Sequence, residues 1–193
     1  PRFNRNVIIT EKIDGTNAAV IIEPVQRIPG HADENRLAVV DTGDLHTVHA
    51  QSRTRLIRPG ADNYGFAAWV QENAAELVRL LGPGRHFGEW YGQGIQRRYG
   101  LDHKRFALFN VGRWSPEDFA ETDLPVEVVP TLATLSRPDE DRINGTLDEL
   151  DFYGSSAVPG FMQPEGIVLY HTAAKQTFKI LLEGDDVPKG ATA

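Results

Sequence analysis

Residues 10–17 read Thr-Glu-Lys-Ile-Asp-Gly-Thr-Asn and place one lysine shortly before an Asp-Gly pair. Runs rich in β-branched residues, 6–11 and 18–23, lie on either side of this pair. The pattern predicts a strand, a turn and a second strand. Lys12 would then lie at the end of the first strand, where its amine can project into a cleft. The plainer alternative is a surface lysine beside an ordinary hairpin turn.

Further elements follow on the C-terminal side of this turn. Residues 24–34 are rich in Pro, Gly and charge and predict a surface loop. Apolar residues at helical spacing from Phe66 to Leu81 predict one helix, which Gly82 and Pro83 end. The other predicted elements are strands at 37–40, 47–57, 86–91, 105–111 and 126–129, a short helix at 146–150, and a closing hairpin of 166–171 with 177–182. Many strands and few helices, without a βαβ rhythm, predict an α+β fold with antiparallel sheets.

The composition excludes several classes of protein. The chain has 193 residues, of which 40% are hydrophobic and 24% charged, as expected of a globular domain. It has no cysteine, which excludes disulfides and thiolate metal sites and fits a cytoplasmic location. Its apolar runs are too short to span a bilayer, and no charged-then-apolar signal peptide is visible. We therefore expect a cytoplasmic protein with no membrane partner.

The net charge of −7 argues against a surface that is basic overall, which is the usual surface of a dedicated nucleic-acid binder. Local patches can still steer a polyanion, because binding depends on the charges next to the phosphates. Two basic clusters could form such patches, although a solvated surface is the alternative for each. They are Arg53, Arg55 and Arg58, and Arg97, Arg98, His103, Lys104 and Arg105.

The lysine of residues 10–17 has a chemistry of its own. A lysine amine attacks an electrophile only in its neutral form, which burial and neighbouring cations favour. Arginine and lysine side chains together with a metal ion would supply those cations and also hold a triphosphate. A glycine after the lysine lets the backbone and a phosphate come close together. The segment is therefore a candidate nucleophile site on a phosphate-binding turn.

Five more segments follow this motif in order along the chain. They are Gln-Ser-Arg-Thr-Arg at 51–55, Phe-Gly-Glu-Trp-Tyr-Gly at 87–92, Phe-Ala-Leu-Phe-Asn-Val at 106–111, Pro-Glu-Gly-Ile-Val at 164–168 and Phe-Lys at 178–179. The series resembles the covalent nucleotidyltransferases, the superfamily of polynucleotide ligases and messenger-RNA capping enzymes. Its Glu-Lys-x-x-Gly-Thr-Asn opening is most similar to the RNA ligase group that seals nicked duplex RNA. The resemblance runs from Thr10 to Lys179, nearly the whole chain.

The resemblance implies an ATP-dependent RNA ligase built on a nucleotidyltransferase domain. Such a domain has antiparallel sheets with flanking helices, and ATP lies in the cleft between the sheets. Lys12 would take AMP from ATP, pass it to a polynucleotide 5′-phosphate, and AMP would leave when a 3′-hydroxyl attacks. The implied cofactors are ATP and Mg²⁺ or Mn²⁺, and the implied partners are RNA ends or nicks, with DNA as the alternative. RNA repair would be the setting.

The resemblance also assigns roles in nucleotide binding. Asn17 would assist the sealing step, and Arg53 would contact the nucleotide and the strand's phosphate. Glu89 would bind the ribose hydroxyls, and Phe109 would stack on adenine. As plainer alternatives, Phe109 could be a core aromatic and Glu89 an edge-strand carboxylate. Arg53 and Arg55 would point to one face of a strand, so either could contact phosphate, and Ser52 before Arg53 favours Arg53.

The remaining assignments concern the metal, the α-phosphate and the nucleic acid. Glu165 would help to position a divalent metal, partly through waters, although it could instead cap a turn after Pro164. Lys179 would hold the α-phosphate, and Glu11 joins the ATP-binding set through its place in the first motif. The candidate nucleic-acid contacts are Arg55, Arg97 and Arg98.

The sequence departs from the family pattern in two places. The last motif usually has two lysines separated by one residue, but here Thr177 or Leu181 takes the position of the second. We also expect residues 1–193 to form a single nucleotidyltransferase domain, with no C-terminal accessory domain visible, so that an accessory domain or protein could supply further grip. The rival hypotheses are a DNA ligase, a capping-type nucleotidyltransferase, and a degenerate module that binds nucleotide or nucleic acid without full ligation.

Overall fold

The computed structural model describes residues 3–25 and 33–183. Most of the loop predicted at 24–34 lies outside the described residues. Eleven strands, three α-helices and one 3₁₀ turn at Pro116–Phe119 form two β-sheets with helices packed on them in the described chain. This arrangement confirms the predicted α+β fold with largely antiparallel sheets.

The smaller sheet has four strands in the order β11-β10-β1-β9, all antiparallel. Its strands are β1 (Val7–Lys12), β9 (Thr131–Leu135), β10 (Gly166–His171) and β11 (Gln176–Leu181). Helix α3 (Glu140–Tyr153) covers one face, where Ile9 and Ile167 pack with Leu150 in a buried cluster. The opposite face of this sheet carries Lys12.

The larger sheet runs in the order β3-β4-β2-β6-β7-β8, and β5 pairs with β4 beside it. Its strands are β2 (Thr16–Pro24), β3 (Ala38–Asp41), β4 (Leu45–Ser52), β5 (Leu56–Ile57), β6 (Gly84–Gly92), β7 (Lys104–Leu108) and β8 (Val126–Val128). β7 and β8 pair in parallel, whereas the other pairs in the described chain are antiparallel. Helices α1 (Phe66–Glu72) and α2 (Ala74–Leu81) bury one face of the sheet in the main hydrophobic core.

Two predicted elements are divided in the structure. The helix predicted from Phe66 to Leu81 breaks at Asn73, whose side-chain Nδ2 donates to the Trp69 carbonyl at 2.8 Å and so competes with the helical backbone. The strand predicted at 47–57 is also wrong as one element. The Ser52 N–H and hydroxyl both donate to the Arg55 carbonyl, at 2.9 and 3.2 Å, and close a turn between β4 and β5.

Two other elements differ in extent. Helix α3 has 14 residues, whereas the sequence predicted only 146–150. The prediction covered its most buried part, since Thr146 and Leu150 are the two buried residues of the helix, whereas Ile143 and Leu147 are only partly buried. β9 was not predicted, because apolar and polar residues do not alternate along its sequence, Thr-Leu-Ala-Thr-Leu.

The chain crosses from the smaller sheet to the larger one at residues 13–15, between β1 and β2. Gly15 allows this crossing, because a Cβ there would lie 2.5 Å from the Trp90 carbonyl oxygen and 2.8 Å from the Tyr91 Cβ. Tyr91 itself packs with Ile13 in a small buried cluster that joins the two sheets. Lys12 is therefore the last residue of β1 and lies immediately before the junction with the larger sheet.

Candidate active site

The register of the smaller sheet puts two lysines on the same face. Lys12 of β1 is opposite Gly166 on β10. Val168, two residues further along β10, is opposite Thr10 of β1 on one side and Lys179 of β11 on the other. Because side chains alternate along a strand, Lys12 and Lys179 point away from helix α3. The predicted nucleophile and the predicted α-phosphate ligand therefore share one face.

Glu165 is held directly beside Lys12. It precedes β10, and its Oε2 forms an ion pair with the Lys12 Nζ, with both side chains largely buried. In the described part of the chain this buried oxygen accepts no other contact, so the ammonium is its partner. The next residue, Gly166, has φ of 151°, and a Cβ there would overlap the Ile180 carbonyl. A glycine is thus required for β10 to bring Glu165 to Lys12.

Glu89 reaches the same place from the larger sheet. It lies on β6, an inner strand, opposite Asn17 of β2 and Ala107 of β7, so it is not an edge-strand residue. Burial raises the pKa of its carboxyl to about 7. The charge of Lys12 opposes this rise, Glu165 adds to it, and the Gly15 N–H and Lys179 oppose it. A Cβ on Gly15, three residues after Lys12, would lie 3.0 Å from the Glu89 Cγ, so the Glu89 side chain lies beside the turn that follows Lys12.

Phe109 lies immediately after β7, on the Glu89 face of the larger sheet. Its N–H donates to the Phe87 carbonyl at 3.0 Å, which continues the β6–β7 register by one residue pair. The Phe109 side chain is 41% exposed, so the alternative of a core aromatic is excluded. Phe87 lies opposite it and is 43% exposed. The sequence analysis did not single out Phe87. It lies two residues before Glu89 on the same strand, so alternation puts both side chains on one face.

Glu11 points to the other side of β1 from Lys12. Its carboxylate accepts hydrogen bonds from the Ser155 hydroxyl at 2.6 Å, the Ser156 N–H at 2.8 Å and the Ala157 N–H at 2.9 Å. Burial raises the pKa of this carboxyl, and the three hydrogen bonds oppose the rise. The side chain is therefore engaged with the segment after α3 and fixes the strand that carries Lys12, a geometry that differs from direct ATP contact.

The predicted arginine contacts divide into two kinds. Arg53 and Arg55 are exposed in the turn after β4 rather than on one strand face, at the sheet end where Ser52 pairs with Ala18. Arg98 is also exposed. Arg97 is different, because its Nε lies 3.3 Å from the Asp14 Oδ2 within the site.

Tyr99 is a site residue that the sequence analysis missed. Its hydroxyl accepts a hydrogen bond from the Asp14 N–H at 2.8 Å, and its side chain is almost fully buried. The two residues are 85 positions apart, so no local pattern signals the contact.

The site suits a divalent metal that is held mainly by nucleotide. Among residues 3–25 and 33–183, no three His, Asp or Glu side chains form a ready metal cluster. Mg²⁺ commonly binds through one or two carboxylates together with waters and substrate phosphates. Glu165 offers one such carboxylate, with a buried oxygen, and Glu89 is close enough for the two charges to interact.

Comparisons with known proteins identify a family and a shared fold. A family model described as RNA ligase matches residues 5–181. A variant of Naegleria gruberi RNA ligase solved with ATP and Mn has a TM-score of 0.62 at 20% identity, covering 94% of this chain and 51% of that chain. Another variant with AMP and Mn gives 0.61 at 19% identity, covering 93% and 50%. The enzyme with PPi gives 0.60 at 20% identity, also covering 93% and 50%.

The present chain spans about half the length of those solved structures. At this level of identity the likeness shows a shared fold. No curated protein matches the sequence significantly. Within the described residues, none of the helices combines the length and the apolar character that a membrane crossing requires.

Proposed function

The chain belongs to the RNA ligase family, and we propose that it is an ATP-dependent ligase that seals RNA through a covalent Lys12–AMP intermediate. The observation that supports this most strongly is the meeting of Lys12 and Glu165 from the smaller sheet with Glu89 from the larger one. A nucleotide in this cleft would have its phosphates near the lysines. Its ribose would lie near Glu89 and its base near Phe109.

The first step transfers AMP to the protein. The Lys12 amine attacks the α-phosphorus of ATP, a P–N bond forms, and the bond to the bridging oxygen breaks so that pyrophosphate leaves with the electron pair. The amine must first lose a proton to solvent, and the Lys179 charge on the same face, together with a bound metal, would favour the neutral amine. Lys179 shares the Lys12 face and would stabilise charge that develops on the α-phosphate oxygens.

A divalent metal, Mg²⁺ or Mn²⁺, would be held by Glu165 together with the ATP phosphates and would supply neutralisation of phosphate charge. Glu89 would accept hydrogen bonds from the ribose hydroxyls, and the exposed ring of Phe109 would stack on the base. Positioning and charge stabilisation would therefore carry most of the catalysis, as in other phosphoryl transfers.

The later steps join two strands. A 5′-phosphate oxygen attacks the phosphorus of Lys12–AMP, and the lysine nitrogen leaves. A 3′-hydroxyl then attacks the 5′-phosphate, and AMP leaves as the phosphodiester forms. Asn17, the second residue of β2, lies opposite Glu89 and would assist that sealing step. Exposed Arg53, Arg55 and Arg98 are available to bind strand phosphates of RNA ends or of a nicked duplex.

A nucleotide-binding module without full ligation is the second candidate, and one observation favours it. Leu181 is one of the two positions, with Thr177, where the family pattern could have its second lysine. It lies opposite Gly166, which lies opposite Lys12, so an apolar side chain is in register with the nucleophile. Such a module would bind ATP and leave it intact. In the ligase, by contrast, residues 10–179 would supply the groups for self-adenylylation, and part of the binding of the RNA strands would come from another domain or protein.

The test follows label from ATP to nucleic acid. Incubation with α-labelled ATP and Mg²⁺ should give label that stays on the denatured protein, resists alkali and is released by acid, as a P–N bond to lysine requires. Adding 5′-phosphorylated RNA should move the label to the RNA end. Labelling from GTP instead would indicate a capping-type enzyme, and sealing of nicked DNA but not RNA would indicate a DNA ligase. ATP binding without labelled protein would support the binding module and contradict the ligase.

A further inference from the structure

The loop at residues 93–101, between β6 and β7, has an unusual backbone. Gln96, Arg98 and Tyr99 have φ values of 45°, 60° and 53°. Residues other than glycine adopt this left-handed region rarely, and they keep it only where the surrounding contacts hold them there. Ile95 within the same loop is completely buried in the main core. The loop is therefore a fixed structure, and its strain points to specific contacts.

Tyr99 makes one set of those contacts. Its hydroxyl accepts the Asp14 N–H at 2.8 Å, two residues after Lys12. Its ring packs at 4.5 Å from that of Phe161 and at 5.1 Å, edge to face, from that of Tyr91, measured between centroids. Because the ring is held on two sides, the hydroxyl has a fixed position. The turn that follows Lys12 is thus tied to β6 and to the segment that leads to Glu165.

Arg97 ties the same two segments together by a second route. Its Nε lies 3.3 Å from the Asp14 Oδ2, and its Nη1 donates to the Gln163 carbonyl at 3.1 Å. Gln163 is two residues before Glu165. The planar guanidinium has donors in fixed directions, so it can span both groups at once. One loop therefore contacts the turn after Lys12 and the approach to Glu165.

We propose that Tyr99 and Arg97 are positioning residues that hold the Lys12 turn and the Glu165 segment in the geometry required for attack on the α-phosphate. The proposal rests on the proposed function, because it concerns the same reaction. An amine and a phosphorus react efficiently only when they are held at about 3–3.5 Å and in line. Tyr99 acts on the Lys12 backbone through Asp14, and Arg97 acts on both segments. Neither side chain needs to touch ATP.

Tyr99→Phe tests the hydroxyl while keeping the ring packing. The full chain is measured in single-turnover formation of protein–AMP over a range of ATP concentrations. We expect the maximal rate to fall roughly ten-fold, because Lys12 is less often in line, with half-saturating ATP changed by less than about two-fold. Tyr153→Phe is the matched control. It loses an exposed hydroxyl at the end of α3, which covers the face of the smaller sheet opposite to Lys12, and should keep the wild-type rate.

Arg97→Ala tests the second contact without RNA present. We expect a slower maximal rate of protein–AMP formation, partly restored in Arg97→Lys, which keeps a cation near Asp14. The control is Arg79→Ala on α2, an exposed arginine paired with Glu76 on the helix that packs on the face of the larger sheet opposite to Glu89. If Arg97→Ala changes only strand joining and leaves protein–AMP formation intact, Arg97 is a nucleic-acid contact and the positioning role is wrong.

The outcomes separate this proposal from the proposed function. No adduct on the wild-type protein would overturn both. Adduct formation by wild type together with equal maximal rates for Tyr99→Phe and Tyr153→Phe would overturn only the positioning role. A raised half-saturating ATP with an unchanged maximal rate would overturn it as well, since that pattern indicates an effect on ATP binding. If Tyr99→Phe fails to fold by thermal unfolding, Arg97→Ala decides.

Discussion

The Glu89 carboxyl makes the stability of the protein depend on pH in a way that can be calculated. Its pKa is about 7 in the folded protein, against 4.5 for an ordinary glutamate, chiefly because of burial. The folded state therefore keeps a proton between pH 4.5 and 7 that the unfolded state loses. Stability falls as pH rises through this window. The two pKa values differ by about 2.5 units, which corresponds to a loss of about 3 kcal/mol in the free energy of unfolding, and this loss is complete above pH 7.

Glu89→Gln removes this titration while keeping the shape of the side chain. At each pH, the free energy of unfolding in urea is measured for Glu89→Gln and for wild type. We expect the difference, variant minus wild type, to be about 2–3 kcal/mol larger at pH 8 than at pH 5. Glu72→Gln on the exposed surface of α1 is the control, and its effect should be the same at both pH values. An effect of Glu89→Gln that is equal at pH 5 and pH 8, or larger at pH 5, would refute the reasoning.

The same carboxyl reports on Lys12. Because the Lys12 charge holds the Glu89 pKa down, Lys12→Ala should move the Glu89 titration to higher pH. Carboxyl NMR of the side chain gives this pKa directly. A pKa that stays put or falls in Lys12→Ala would show that the two groups do not face each other across the cleft.

The exposed aromatic, the buried Glu11 carboxylate and the charge balance each give a further measurable outcome. Phe109→Ala should raise half-saturating ATP ten-fold or more, since base stacking is worth roughly 1–3 kcal/mol, with little change in thermal unfolding; an unchanged ATP dependence would contradict the stacking role. Glu11→Ala should lower the free energy of unfolding in urea by about 3 kcal/mol, because two backbone N–H groups lose their acceptor, whereas a loss below about 1 kcal/mol would contradict the anchoring role. Joining of nicked duplex RNA by this chain alone should be weak and fall steeply with salt while protein–AMP formation does not, and efficient joining that is insensitive to salt would show that the chain needs no further grip.

The residues that could be predicted from the sequence lie in short motifs with local signals. Lys12 precedes an Asp-Gly turn, and Glu165 precedes a glycine that starts a strand, so their placement follows from turn and strand rules. The fold class could be predicted for the same reason. Phe109 and Glu89 lie on or next to strands, and their shared face follows from the β6–β7 register, which a single strand pattern cannot supply.

The contacts that could not be predicted join distant parts of the chain. The Glu11 carboxylate bonds to Ser155, 144 residues away, and the Tyr99 hydroxyl to the Asp14 N–H, 85 residues away. In the sequence Glu11 is indistinguishable from a ligand-binding carboxylate because it adjoins Lys12, but alternation turns it to the opposite face of β1. Arg97 reads as part of a basic cluster, whereas the fold places it against Asp14.

The position of the AMP adduct tests the central claim most directly. The protein is incubated with ATP and Mg²⁺, digested, and searched by mass spectrometry for lysines that carry AMP. We predict that the adduct lies on Lys12, that Lys12→Ala carries none, and that Lys179→Ala still forms it on Lys12 at a lower rate. An adduct on Lys179 or another lysine, or a Lys12→Ala protein that still seals RNA, would contradict the account.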